Sequence, residues 1–378
     1  MNIDVDRGAY CGAISMNIAL ALVREVTRLP PHHEGGRHAL LYQDSSLDPS
    51  TEAFGGSQVG AGRWLNRLDG LATDPIASKL HDLSSALPEQ VKQIIQQNLG
   101  TQGEVILTSS GAEAINHALK GMAFRNRGGR ILISPRVPLP LRNAALWLSR
   151  QGWQVANIGS EGDADIIAVE LVDHETGGIR DIAALRHEYP NSTLIVEATA
   201  AVGRIPISNE GIDVLTMGFD YFGALVTSKG VRIDPLIHGG GEQGGRRGGH
   251  LPSILFSEDI FSLEGIEELD TVLLEAINEH EFIINSDRKR VPGILNIQLP
   301  RVSAEAVLVD LANEGVYMSS SSGCTASTGM PSRILTSMGL SEDEALSSIR
   351  ISIRNDNEEQ EIRHGIEILA KIVKGFQS

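Results

Sequence analysis

The chain has 378 residues, of which 41% are hydrophobic, and this length predicts one large domain with a smaller one rather than a single simple core. The formal net charge of −16 at pH 7 argues against direct binding to nucleic acid, because a phosphate-binding surface needs a basic excess. The two cysteines, Cys11 and Cys324, lie far apart, which excludes a disulfide framework and indicates free thiols in a reducing, cytoplasmic compartment.

The N-terminal region predicts an amphipathic helix over residues 12–28, which ends before Pro30 because proline disfavours helix at the residue that precedes it. The apolar stretch at residues 14–23 is short and is interrupted by Asn17, so we expect neither a signal peptide nor a membrane span. Potential metal ligands follow at His32, His33, Glu34 and His38. They lie among prolines and glycines without a nearby cysteine, so we expect a solvated turn and predict no metal site.

Short apolar runs then alternate with helical stretches through the middle of the chain. The runs are residues 104–108, 130–134, 153–157, 166–170, 193–197 and 214–216. Their length and their β-branched residues are typical of buried strands. Because strands separated by helices pair in parallel and are covered on both faces, this part predicts an α/β domain with a mainly parallel sheet.

The character of the sequence changes after the glycine-rich run at residues 239–249. Helices are predicted at residues 262–285, 303–314 and 358–376, with a strand at residues 293–299. This order predicts a smaller α+β domain. We therefore divide the chain into residues 1–40, a helix and turn that pack on the small domain, residues 41–252, the large domain, and residues 253–378, the small domain that carries Cys324.

A group of small residues surrounds the second cysteine. The sequence reads Ser319-Ser-Ser-Ser-Gly-Cys324-Thr-Ala-Ser-Thr-Gly-Met-Pro-Ser332, and Met338-Gly-Leu-Ser341 and Ser348-Ile-Arg-Ile-Ser352 follow it. This pattern resembles the cysteine desulfurases, which are class V aminotransferase relatives with the fold type I of pyridoxal phosphate (PLP) enzymes. The resemblance implies a large domain with a mainly parallel seven-stranded sheet. It also implies that Cys324 is the thiol that accepts sulfur and that Arg350 holds the substrate carboxylate.

The lysine that the family uses to hold PLP is missing from the expected position. This cofactor needs an amine that forms an imine with its aldehyde and then moves a proton. The resemblance places Asp220 or Tyr221 there, and neither side chain can form an imine. The nearest alternative is Lys229, but the predicted strand at residues 224–226 would carry it away from the pocket.

The positions that the resemblance assigns to the PLP phosphate also differ. The threonine whose hydroxyl holds the phosphate at a helix N-terminus is Ala112, which is followed by Glu113. His250 replaces the threonine that reaches the phosphate of a neighbouring subunit. The phosphate therefore loses predicted contacts.

The positions that the resemblance assigns to the PLP ring differ as well. Glu197 replaces the aspartate that pairs with the pyridinium nitrogen, and Ala200 replaces a nearby glutamine. His174 stands in place of the asparagine near the ring oxygen, and residues 135–140 lack the histidine that stacks on the ring. We therefore predict that PLP is absent or only weakly bound.

Three functions follow from this pattern. The first is sulfur transfer, in which Cys324 accepts or relays sulfane sulfur as a persulfide or the chain acts as partner subunit of an active desulfurase. The second is an active PLP-dependent desulfurase that uses Lys229, and the third is a non-catalytic scaffold in which Cys324 is an inert small residue. The partners implied are a second copy or an active desulfurase in a dimer, and a protein that accepts the sulfur. Iron–sulfur cluster assembly, thiolation of RNA or DNA and a small-molecule pathway all stay open as destinations.

Overall fold

The computed structural model describes residues 88–125, 128–219, 221–251, 261–262, 264–320 and 330–377. Cys11, Cys324, Asp220, the predicted N-terminal helix and the histidines near residue 32 lie outside the described residues. All of the described residues belong to one compact unit. Within it are a seven-stranded sheet and a four-stranded sheet. The predicted domain boundary at residue 252 falls in an undescribed segment and stays a prediction.

The large sheet has the order β1-β7-β6-β5-β4-β2-β3. Its strands are β1 Glu104–Thr108, β2 Arg130–Ile133, β3 Gln154–Asn157, β4 Ile166–Glu170, β5 Thr193–Glu197, β6 Val214–Gly218 and β7 Gly223–Thr227. β7 runs antiparallel to both of its neighbours, and the other pairs are parallel. The sequence-based prediction of an α/β fold with a large, mainly parallel sheet is thus confirmed.

Helices cover both faces of this sheet because alternate strand residues point to opposite sides. They are α1 at residues 88–99, α2 Gly111–Phe124, α3 Leu139–Ser149 and α4 Ile182–Glu188. On β4, Ile167 and Val169 pack with the residues of α1 and α4, whereas Ile166 and Ala168 pack with those of α2 and α3. Each fully buried isoleucine or valine of this kind stabilises the fold by roughly 1.5–3 kcal/mol.

The small sheet is antiparallel and has the order β10-β11-β9-β8. Its strands are β8 Ile283–Ile284, β9 Ile294–Gln298, β10 Ser319–Ser320 and β11 Ser348–Ser352. The remaining helices are α5 Ile266–Asn278, α6 Ala304–Asn313, α7 Arg333–Ser337, α8 Glu342–Leu346 and α9 Glu359–Gln377. α5, α6 and α9 bury their apolar faces in one cluster with β9 and β11. This is the α+β arrangement that the sequence predicts.

The helix predicted over residues 262–285 is shorter in the structure. It begins after Gly265, which has a left-handed backbone with φ of 76°, and it ends at Asn278. Ile283 and Ile284 then form an edge strand instead of a further helical turn. The β-branched pair gains a ladder partner in β9, and this tertiary contact outweighs the helical period of the sequence. Among the described helices, none combines the length and the apolar character needed to cross a bilayer.

Candidate functional site

The carboxyl ends of the parallel strands carry two buried acidic residues. Glu170 ends β4 and Glu197 ends β5, and their Cα atoms are direct partners in the ladder. Their relative exposures are 2% and 3%. Open α/β sheets bind ligands outside this edge, so we assemble the candidate site from here.

Glu197, the position predicted to face the cofactor nitrogen, is held by the turn that follows its strand. The backbone N–H of Thr199 donates to its Oε1 at 2.8 Å. Burial raises the pKa of Glu197 to about 7, and the nearby Glu170 carboxyl acts in the same direction. The carboxyl is therefore about half protonated at neutral pH. Ala200 follows in a short 3-10 turn, Thr199–Ala201, and its methyl group offers no hydrogen bond.

Glu170 belongs to a buried ionic group that the sequence did not predict. Arg180 forms an ion pair with the Glu170 carboxylate and donates to Ser134 Oγ at 2.7 Å. Ser134 Oγ in turn donates to Glu170 Oε1 at 3.0 Å. The one sequence signal for this ionic group is Glu170 itself, a charged residue at the end of an otherwise apolar strand. Such a residue is rarely buried without a partner.

At the start of α2, where the resemblance places a phosphate, side chains of the protein accept hydrogen bonds from the backbone N–H groups. Ser110 Oγ accepts the N–H of Glu113, and the Glu113 carboxylate accepts the N–H of Ser109 at 2.9 Å. Arg247 donates to the same carboxylate at 2.8 Å. Burial alone would raise the pKa of Glu113, but these hydrogen bonds outweigh it and lower that pKa. Ala112 is exposed and has no hydroxyl.

A tight hairpin lies at the position where the resemblance places the loop with the cofactor lysine. The N–H of Phe219 donates to the carbonyl of Phe222 at 2.8 Å, and the two rings stack with centroids 4.5 Å apart. Between them lie Asp220, outside the described residues, and the half-buried Tyr221. The hairpin also packs closely on α2, since a Cβ at Gly111 would come within 2.8 Å of the Gly218 Cα. Residues 219–222 contain no lysine.

Lys229, the alternative amine, lies near the start of β6, at the end of that strand opposite to the hairpin. β7 starts at the hairpin and carries the chain five residues away to Thr227. The N–H of Ser228 then donates to the carbonyl of Asp213, the residue before β6. Five extended residues span about 16 Å. Lys229 is exposed there, as the predicted strand at residues 224–226 implied.

The other lysines do not supply the missing amine either. Lys79 lies outside the described residues. The remaining ones are Lys92 on α1, Lys120 on α2 over the Trp147 ring, the exposed Lys289 before β9, and Lys371 and Lys374 on α9. None of these described lysines lies at the carboxyl ends of β5 and β6. Among the described residues, no amine is placed to form the imine, and two positions that the resemblance assigns to PLP contacts, Ala112 and Ala200, carry only methyl groups, so these residues do not fit PLP.

A buried turn of three polar residues, Asp173, His174 and Glu175, follows β4. Asp173 Oδ1 accepts the N–H of Glu175 at 2.9 Å, and the Thr176 hydroxyl donates to its other oxygen at 2.9 Å. Burial raises the pKa of Asp173 above its ordinary value. Arg136 lies 3.8 Å away from this carboxylate. These contacts fix the backbone of the turn.

His174 is a neutral imidazole in this turn. Burial lowers its pKa to about 3, and the positive charges of Arg350 and Arg333 lower it further. The residue is half-buried, and its Nδ1 is buried and has no hydrogen-bond partner in the described part of the chain. The side chain therefore offers a polar nitrogen and no charge.

Glu175 joins the turn to the segment that follows the cysteine loop. Ser332 Oγ donates to the Glu175 carboxyl, and both residues have a relative exposure of 3%. Burial raises the pKa of Glu175 to about 8, so that its carboxyl is mostly protonated at neutral pH. The sequence singled out Glu175 but gave no sign of Ser332 as its partner, because the two residues are 157 positions apart.

Arg350, predicted to hold a substrate carboxylate, is brought to the same turn. On β11 its Cα is the ladder partner of Ser319 on β10. Its guanidinium donates to the carbonyl of His174 at 3.4 Å and to Ser319 Oγ at 3.3 Å. The structure therefore brings Arg350 to the backbone of His174. It leaves His250 exposed in the glycine-rich segment.

The described residues contain no cluster of three or more histidine, cysteine or acidic side chains that could hold a metal ion. Among the described residues, the site consists of buried carboxyl groups, their arginine partners and a neutral histidine. Such groups can hold polar ligands and position a neighbouring segment, but they contain no strong nucleophile. The remaining candidate nucleophile is Cys324, between Ser320 and Met330 and outside the described residues.

Sequence comparison links the chain to characterised proteins, although no protein-family model matches it. "Cysteine desulfurase IscS" of Pectobacterium atrosepticum is 29% identical over 352 residues, which cover 81% of this chain and 86% of the relative. "Cysteine desulfurase IscS 1" of Archaeoglobus fulgidus is 27% identical, and the match covers 74% of this chain and 83% of the relative.

Comparison of folds gives a consistent result. A solved structure of a NifS-like protein matches with a TM-score of 0.69 and 21% identity, over 77% of this chain and 88% of the other. This likeness concerns the fold, and the sequence relatives supply the family. By sequence, the chain is thus a homologue of the cysteine desulfurases, and its fold is that of a NifS-like protein.

Proposed function

We propose that this protein acts in sulfur transfer by accepting or relaying sulfane sulfur as a persulfide on Cys324, without PLP chemistry of its own. One observation supports the proposal, namely the tight Phe219–Phe222 hairpin at the position where the resemblance places the family's lysine. Loss of a general base alone lowers an enzymatic rate by about 10² to 10⁴. Loss of the imine as well leaves Cys324 as the group that can carry sulfur.

The proposed transfer is a thiol–persulfide exchange that balances without a further oxidant. The Cys324 thiolate attacks the outer sulfur of a donor persulfide, a new S–S bond forms, and the donor S–S bond breaks. The donor leaves as a thiolate and takes up the proton that the Cys324 thiol released. Cys324 then holds the outer sulfur as a persulfide, which an acceptor thiol attacks in the same way.

The donor and acceptor are proteins in this proposal. A cytoplasmic desulfurase supplies the persulfide, either as a transient donor or as the other half of a heterodimer, and a homodimer of this chain is the alternative assembly. The net charge of −16 favours a protein acceptor over a nucleic acid, because phosphates would be repelled.

The proposal is tested by incubating the purified protein with an active desulfurase and sulfur-labelled cysteine. Mass spectrometry of the peptides is expected to show labelled persulfide on Cys324. A Cys11→Ser variant should keep this label, and a Cys324→Ser variant should lose it. An unmodified Cys324 after the donor enzyme has turned over would refute the proposal, and full cellular function of Cys324→Ser would favour a scaffold.

The names of the relatives favour a second function, an active PLP-dependent cysteine desulfurase. It requires an amine, either Lys229 or a lysine from a partner chain. Adding PLP to the purified protein would then produce the visible absorption band of an imine. A band that Lys229→Ala abolishes would establish this function. A band that needs an added partner would point to a heterodimer.

A further inference from the structure

Two arginines lie at the start of α3 without an acidic partner within ion-pair distance among the described residues. Arg142 is the fourth residue of α3, and its side chain makes no hydrogen bond or ion pair with the described part of the chain. Arg333 is the first residue of α7, and its Nη2 donates to the carbonyl of Val137 at 2.7 Å. Val137 directly precedes Pro138, the N-cap of α3, so this guanidinium lies against the start of that helix.

One nitrogen of the Arg333 guanidinium is buried without an acceptor. Its Nη1 has no hydrogen-bond partner in the part of the chain that the structure describes. Burial lowers the pKa of Arg333, and the positive charge of Arg142 lowers it further. The two guanidinium groups are therefore close enough to repel each other. A buried, charged donor is costly to leave unsatisfied, so this nitrogen points to an acceptor that the described chain does not supply.

The start of α3 adds to this positive charge. The helix has 11 residues, no side chain caps its N-terminus, and its first turn contains no acidic residue. The free N–H groups at a helix N-terminus carry a partial positive charge, which favours anions and disfavours cations. Arg142 therefore stands at the end of the helix where a cation is least favourable, unless an anion accompanies it.

The nearby carboxyl groups do not neutralise the two arginines. Three of them oppose the pKa shift of the arginine on α7. One is Glu175, which is mostly protonated at neutral pH because burial raises its pKa to about 8. The other two have arginine partners of their own, Arg136 at 3.8 Å for Asp173 and Arg180 for Glu170. Two positive charges thus remain uncompensated in a chain whose net charge is −16.

We propose that Arg142 and Arg333 form a binding site for a small oxyanion with two negative charges, of the phosphate or sulfate type, at the start of α3. A guanidinium presents its N–H groups in a planar fork that matches such oxygens, and a dianion balances two guanidinium charges. This site differs from the start of α2, where the Glu113 carboxylate already accepts the N–H of Ser109. It does not depend on sulfur transfer, because neither arginine takes part in the exchange proposed for Cys324.

The experiment is calorimetric titration of the full chain at about pH 7.5 with sodium phosphate, sodium sulfate or sodium acetate, at an ionic strength held constant with sodium chloride. Phosphate and sulfate are expected to bind saturably with a Kd of about 1 mM or lower, and acetate at least about tenfold more weakly. Binding of either dianion supports the site, and the tighter of the two identifies the kind of oxyanion that it takes.

The variants are Arg142→Gln and Arg333→Gln, and each is expected to weaken binding of the dianions by about tenfold or more. Arg363→Gln is the matched control, because it removes one positive charge from an exposed ion pair with Glu275 and leaves the start of α3 unchanged. It should bind both dianions as wild type does.

Thermal unfolding in chloride buffer separates a binding role from a structural one. Without an oxyanion, Arg142→Gln is expected to raise the midpoint by about 1–2 °C, because it removes the repulsion from Arg333 and a cation from the helix N-terminus. An arginine with a purely structural role would lower this midpoint when replaced. Added sulfate should then stabilise Arg142→Gln less than it stabilises wild type and Arg363→Gln.

Equal affinity of wild type and Arg142→Gln for both dianions would overturn the inference. Absence of saturable binding to wild type up to about 20 mM would also overturn it, as would acetate that binds as tightly as the dianions. If Arg333→Gln fails to fold, Arg142→Gln still decides, since the Arg142 side chain makes no hydrogen bond or ion pair with the described residues.

Discussion

Replacement of Glu197 by glutamine offers a direct test of the charge state at the sheet edge. The variant keeps an oxygen that accepts the N–H of Thr199 at 2.8 Å, so the fold of the turn is preserved. It removes a carboxyl whose pKa burial raises from 4.5 to about 7. Any difference between the two proteins that depends on pH therefore reports on this ionisation.

The direction of the pH effect on stability follows from the number of protons that the folded and the unfolded states bind. Between pH 4.5 and 7 the unfolded chain has released the proton of Glu197, whereas the folded protein still holds it, so wild-type stability falls as the pH rises. The stabilisation of the folded state by protonated Glu197 is fully present below pH 4.5 and is lost above pH 7. A rise of the pKa from 4.5 to about 7 corresponds to about 3 kcal/mol, because a tenfold change in proton affinity is worth about 1.4 kcal/mol.

The assay is urea unfolding of both proteins, followed by circular dichroism at acidic pH and at pH 8. Glu197→Gln is expected to gain about 3 kcal/mol relative to wild type over this interval. A Glu344→Gln control should show no such gain, because hydrogen bonds from Ser341 lower the pKa of this exposed group. A stability difference between Glu197→Gln and wild type that is the same at both pH values would refute the reasoning.

Three further predictions concern the neighbouring structure. Arg180→Ala should lower the free energy of unfolding by about 3–5 kcal/mol in urea titrations, because Glu170 would keep a buried charge without its ion pair. A Glu170→Gln change in the same chain should recover part of this loss. Gln243→Ala should cost about 1–3 kcal/mol, because the Gln243 amide satisfies both the N–H and the carbonyl of Leu107 on the edge strand β1. Lys229→Ala should leave the absorption spectrum after PLP addition unchanged, and a lost band would contradict the placement of this residue.

Much of the fold could be predicted from local sequence. β4 is a run of five buried residues whose alternate side chains enter two different cores, and its β-branched composition signals this directly. The location of Lys229 could be predicted in the same way, because the strand before it determines which edge of the sheet it reaches. The helix predicted over residues 262–285 was too long, because periodicity does not show that Ile283 and Ile284 gain a strand partner.

The sequence by itself predicted the architecture, the lack of a lysine at the position assigned by the resemblance and the candidate thiol, since these depend on residue identity and on short-range periodicity. Only the tertiary structure joined Ser332 to Glu175 and Arg180 to Glu170, and only burial raised the pKa values of Glu175 and Glu197. The physical reason is that a hydrogen bond and a desolvation cost depend on which distant segments meet, and no local pattern encodes that distance.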